Sequence, residues 1–112
     1  MKRLNASNKW NNRQTSELAR AILALRTVAE AKKFLRDLLT EDELMEFGNR
    51  WLAARLLAQN VSYSTIRGKT GLSSATIARI SAWLKTGLGG YRLMLKRQSH
   101  HHSSVPVGKR LC

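Results

Sequence analysis

Between Ser62 and Lys85 the chain mixes hydroxyls, small apolar residues and cations, with no acid anywhere in the stretch. Catalysis would need a carboxylate pair, or a nucleophile beside a base. Neither is present: the acids fall at outward helix starts, and the three histidines form one run, His100–His102. The chemistry that these residues suit is recognition of a polyanion. Ser74 and Thr76 carry hydroxyls that hydrogen-bond a base edge or a phosphate, and Ala75 and Ala78 are small enough to pack on a thymine methyl. Arg67, Lys69 and Lys85 are placed to grip phosphates. Ser62, Ser64, Ser73 and Arg79 complete the candidate DNA-contacting set.

Charge is segregated along the chain. All seven acids (Glu17, Glu30, Asp37, Glu41, Asp42, Glu43, Glu46) lie in the first 46 residues, beside nine basic ones. Residues 47–112 hold eleven basic residues and no acid. A surface built only to keep a protein in solution usually mixes both signs, so this half is built to face a polyanion. Cys112 is the sole cysteine, which excludes a disulfide framework and a paired-cysteine metal site. Three consecutive histidines cannot converge on one metal from one helix face. No metal or other cofactor is implied. Met1–Asn12 lacks the apolar core of a secretory signal. The apolar run Ala21–Leu25, closed by Arg20 and Arg26, is far too short to span a bilayer. A cytoplasmic protein working on the nucleoid, with no membrane partner, is expected.

The elements that hold these residues are helical throughout. Leu18, Ile22, Leu25 and Ala29 recur at three and four, predicting an amphipathic helix from near Ser16. Thr27 with Glu30, and Thr40 with Glu43, have capping-box spacing. The first box starts a helix, or a break in one, that turns Ala31, Phe34, Leu35 and Leu38 inward. The second starts a helix through Leu44 and Phe47, with Glu41, Asp42 and Glu43 in its first turn, where the dipole favours anions. Gly48 either bends that helix or separates it from another carrying Trp51, Leu52, Leu56 and Leu57. Asn60 is a suitable left-handed stop.

Two short helices follow. Ser62 caps the first, with Val61 and Ile66 at staple spacing, and Thr70 ends it. Gly71 supplies the left-handed residue of a sharp turn. Ser73 caps the second helix, with Leu72 and Ile77 at staple spacing, and Ile77, Ile80 and Leu84 face inward as far as Thr86–Gly87. Helix, glycine turn, helix, with apolar residues holding the corner, is a helix-turn-helix over residues 62–85. Its second helix would enter the major groove of double-stranded DNA, with Ser74, Ala75, Ala78 and Arg79 exposed at its N-terminal end. Residues 1–14, with four Asn, read as a flexible basic arm, residues 15–97 as the helical domain and residues 98–112 as a flexible tail. Trp51 and Trp83, at helical spacing, read as core residues. Trp10 lies in the arm. About eighty helical residues bury only a modest core alone, so a homodimer is expected.

The stretch LLTEDELMEFGNRWLAARLLAQNVSYSTIRGKTGLSSATIARISAWLKTGLGGYRLML resembles the Trp repressor superfamily, and within it the TrpR-like, YerC/YecD-type branch. SELARAILALRTVAEAKKFLRDL before it resembles the same family more weakly. The resemblance covers about three quarters of the chain, and Ser-Ala-Thr-Ile-x-Arg and Gly-Gly-Tyr-Arg are its most specific parts. It implies an all-α, intertwined homodimer in which the N-terminal helices of two chains interlock, each subunit offering one helix-turn-helix. Tyr91–Lys96 would be the last helix. Tryptophan-responsive members of the family hold their corepressor between two arginines, which by resemblance fall at Arg50 and Arg79, with Thr40 matching a capping threonine. Ile80 and Trp83 replace the small residues that leave room for an indole, so the resemblance implies a pocket filled by side chains, with no small-molecule effector. A sequence-specific transcriptional regulator, a repressor, is therefore expected. The alternatives are a nucleoid-associated architectural protein, or the DNA-binding subunit of a transposase with a separate catalytic partner.

Overall fold

Side-chain caps set where the helices of this chain begin. A computed structural model describes residues 9–104, and among them there are six helices and no strand. They are α1 (Arg13–Leu23), α2 (Val28–Leu38), α3 (Glu41–Ala58), α4 (Tyr63–Thr70), α5 (Ser74–Thr86) and α6 (Gly90–Ser104). The fold is all-α. None of the helices is long and apolar enough to cross a membrane.

Thr40 and Glu43 form the full reciprocal box at the start of α3: the Glu43 amide donates to Thr40 Oγ1 at 3.1 Å, and the Thr40 amide to Glu43 Oε1 at 2.9 Å. At α2 the box opens by one residue. The Glu30 amide donates to Thr27 Oγ1, but the Glu30 carboxylate takes the amide of Arg26. Asn60, at φ 63°, ends the turn after α3 in the left-handed region.

Three expectations about boundaries are corrected. First, α1 begins at Arg13 and not near Ser16, because Asn12 Oδ1 accepts from the Thr15 amide at 2.9 Å. Asn caps as well as Ser, and it comes first. Residues 13 and 14 therefore belong to a helix and not to the arm. Second, α3 runs unbroken through Gly48, which excludes two separate helices there, since one glycine in a helix interior costs only about 1 kcal/mol. Third, the last helix reaches Ser104 and not Lys96. It carries the backbone of the His100–His102 run, where a tail was expected. No proline interrupts that stretch; the first falls at Pro106. The expectations for residues 1–8 and 105–112, Cys112 among them, lie outside the described residues.

The chain divides into two compact units, residues 1–44 and residues 45–112. In the first, α1 and α2 are strongly amphipathic, yet neither contains a buried residue. Ile22 is 47 % exposed, and Leu23, Val28 and Leu38 are exposed as well. The second unit has a closed core. Ala53 and Ala54 of α3, Ile66 of α4, and Ile77 and Ile80 of α5 are all 0 % exposed. Trp51, Leu56, Leu57, Val61, Leu72 and Tyr91 pack around them. Each buried isoleucine contributes about 1.5–3 kcal/mol of transfer free energy. The two adjacent alanines of α3 share this core with the isoleucines of the α4–α5 corner.

Thr70 is the one buried polar residue among those described. Its Oγ1 donates to the Ile66 carbonyl at 2.8 Å and accepts from the Leu72 amide at 3.1 Å, bridging the end of α4 to the turn. Gly71 follows at φ 74°, its amide bonded to the Arg67 carbonyl at 2.8 Å. Replacing Thr70 with Val keeps the volume but strands the Leu72 amide. Thr70→Val is expected to lower the unfolding free energy by about 1–2 kcal/mol in a denaturant titration. An unchanged midpoint would show that the hydroxyl is dispensable to the turn.

Candidate nucleic-acid interface

Ile77, Ile80 and Leu84 turn one side of α5 inward, so its other side is determined by helical geometry. At 3.6 residues per turn, Ala75, Arg79, Ala82 and Thr86 lie on one line, about 160° around the helix from that inward set. Ser74, Ala75, Ala78, Arg79, Ala82 and Thr86 are all exposed. The face is narrow and smooth for its whole length, and Arg79 is its only long side chain. Ala82 and Thr86 were missed in the sequence, although projecting the helix forward from Ala75 finds both.

The hydroxyls divide into those that build the helix ends and those that remain available. Ser73 Oγ accepts from the Thr76 amide at 3.1 Å and donates to Thr76 Oγ1 at 3.1 Å. Ser62 Oγ does the same with Thr65 at the start of α4. Ser62, Ser73 and Thr76 are thus engaged in capping. Ser74 Oγ accepts from Arg67 Nη1 at 3.2 Å, which ties α4 to the first residue of α5. Ser64 and Lys69 are exposed on α4. Lys85 is exposed at the far end of α5, where its carbonyl accepts from Arg92 Nη1 at 3.1 Å. Arg92 is a second cation at that end, and its place in the Gly-Gly-Tyr-Arg segment was the signal for it.

Electrostatics reinforce this arrangement. Glu46 is the only acidic side chain of the second unit. It is already paired with Arg50, whose Nη2 and Nε lie 2.8 Å and 3.1 Å from Glu46 Oε2. No carboxylate side chain remains there to answer Arg67, Lys69, Arg79 or Lys85. Among the described residues no group of acids, cysteines or histidines could hold a metal ion.

The residues of the expected effector pocket have separate tasks. Thr40, in the first unit, caps α3. Arg50 is held by Glu46, and Arg79 is exposed on α5 one turn before Trp83. Trp83 is not a core residue: it is 40 % exposed. It stands in the wall of an apolar groove of about 840 Å³, with Trp51, Leu88, Tyr91 and Met94. Trp83 projects from the flank of α5 beside the inward set, and only Ile80 of the two expected fillers is buried. Trp51 is half-buried and stacks on Tyr91 with ring centroids 6.4 Å apart. Burial pushes the Tyr91 hydroxyl above its ordinary pKa of 10.0, and the nearby Arg50 charge opposes that shift.

The profile of the Trp repressor protein family matches residues 13–99. The chain belongs to the Trp repressor family. Within this family its relatives are of the YerC type: the uncharacterized protein YerC of Bacillus subtilis is 32 % identical over 90 residues, 80 % of this chain and 86 % of that protein. The solved structure of a TrpR-like protein from Eubacterium eligens superposes with a TM-score of 0.76 at 34 % identity, covering 82 % of this chain and 95 % of that one. A solved chain from Staphylococcus aureus gives the same TM-score at 33 % identity, covering 82 % and 92 %. The Trp repressor match opens on the first residue of α1 and closes inside α6, so it embraces the whole helix-turn-helix.

Proposed function

We propose that this Trp repressor family member is a sequence-specific transcription regulator, a repressor, that places α5 in the major groove of duplex DNA. The observation that carries this reading is the exposed face Ala75–Arg79–Ala82–Thr86. It is backed by fully buried isoleucines and belongs to a unit whose single acid is already paired. A helix bearing such a face reaches the floor of the groove, where base edges are read. Arg67, Lys69 and Lys85, beside and beyond that face, meet the phosphate backbones. The protein acts by binding and not by catalysis, in the cytoplasm on the nucleoid. The deciding experiment is selection of bound duplexes from a random pool. An enriched inverted repeat supports the regulator. Retention without enrichment would favour an architectural protein that binds by charge alone.

The active species is a homodimer. No residue of α1 or α2 is buried, so their apolar faces need a second copy. Light scattering at micromolar concentration is expected to give twice the 12.7 kDa of one chain. A folded species of 12.7 kDa would overturn the dimer.

DNA binding is independent of free tryptophan. The reason is that Glu46 Oε2 accepts from both Nε and Nη2 of Arg50, holding one edge of that guanidinium. A ligand would have to displace that pair and also offset its own lost translational freedom. Titration with L-tryptophan to millimolar concentration is expected to leave both melting temperature and duplex affinity unchanged. A rise in either would show an open effector site.

A further inference from the structure

We infer that Arg79 reads a guanine, one in each half-site, through a two-pronged hydrogen bond to its O6 and N7. The inference rests on the reading of α5 as the recognition helix and names what that helix recognises. Three observations single out this residue. Arg79 lies on the central line of the exposed face, between Ala75 one turn before it and Ala82 one turn after. A cation on the edge of a recognition helix meets phosphate, whereas one on its central line meets the groove floor.

Its fork is also uncommitted. Of the other arginines on α4, α5 and the first turn of α6, Arg67 bonds Ser74 and Arg92 bonds the Lys85 carbonyl. Among the described residues no hydrogen bond or ion pair holds Arg79. Glu46, the only acid that the second unit could supply, is already taken. A planar guanidinium with five donors, exposed and unanswered by any carboxylate, matches the adjacent acceptors that guanine presents in the major groove.

Finally, nothing else on that line competes for the role. Thr86 Oγ1 donates to the Ala82 carbonyl at 3.1 Å, and Ala75 and Ala82 offer only methyl groups. Those methyls suit thymine, whose C5-methyl is the one apolar feature of the groove floor. The half-site that fits this face is a guanine flanked by thymine methyls.

The test compares duplexes selected from a random pool by the full chain, by Arg79→Ala and by Arg79→Lys. The full chain is expected to enrich a guanine at one position of each half-site. Arg79→Ala is expected to lose that preference alone, with roughly ten- to hundredfold weaker binding to the selected site. Arg79→Lys restores the charge but only part of the preference, because an ammonium lacks the fork. A second measurement needs no variant: 7-deazaguanine at that position removes the N7 acceptor and should weaken the parent protein, while Arg79→Ala is indifferent to it. Uniform weakening of all sequences by Arg79→Ala, with the motif intact, would make Arg79 a phosphate contact and overturn the inference. An enriched repeat lacking that guanine would also overturn it while leaving the regulator standing. Failure to enrich any motif would sink both together.

Discussion

Ala75→Glu is expected to abolish duplex binding, at least a hundredfold and beyond detection at moderate salt. Position 75 is exposed on the central line of α5, one turn before Arg79. With the helix in the groove, a carboxylate there would be pressed between two phosphate backbones with no cation on the same line except Arg79. It would capture that guanidinium at i,i+4 and present negative charge to the acceptors on the groove floor. The variant should fold normally, because an exposed Glu is nearly as good a helix former as Ala. An unchanged melting temperature therefore separates lost recognition from lost structure. Arg67→Ala is the contrasting variant. Arg67 keeps donors beyond the one bonded to Ser74, and losing its proposed phosphate contact should lower affinity by a similar factor for most sequences with the preferred motif unaltered. Normal binding by Ala75→Glu would mean that α5 is not the reading helix.

The second large effect is in salt. Residues 47–112 bring eleven cations and no acid in each copy, so the proposed dimer should displace condensed counterions from many phosphates on binding. If six or more phosphates are met, affinity should drop about a thousandfold or more between ~50 mM and ~200 mM salt. The logarithm of the association constant should fall linearly with the logarithm of salt concentration. Arg67→Ala should reduce the slope by about one, since it removes one phosphate contact. A flat salt response would exclude DNA as the partner, whatever the appearance of α5.

Where helices start and stop was legible because those signals are local. Thr40–Glu43, Ser62, Gly71 and Ser73 each act through bonds to residues no more than four positions away, and each was found where expected. The start of α1 was misplaced for a local reason too: Asn12 and Ser16 are equally competent caps, and the earlier one wins. The Glu46–Arg50 pair is an i,i+4 contact and so was open to reading in the sequence.

Sequence by itself determined the all-α fold, the two helices of the corner with their glycine turn, and the confinement of acid to one half of the chain. These follow from composition and from interactions within one or two helical turns. Tertiary structure alone decided which side chains are still available to a ligand. Ala53 and Ala54 carry no sequence signal for burial, since alanine is at home on any helix face; the corner packed against α3 buries them. Trp83 has the hydropathy of a core residue, but it lies on the flank of α5 beside an open groove and is left exposed. Thr70, Ser74 and Arg67 look alike as polar residues around a turn. Only folding commits the first to the turn backbone and joins the other two to each other, leaving Arg79 free. A donor's availability is a property of what surrounds it in space, and that is fixed only when distant segments meet.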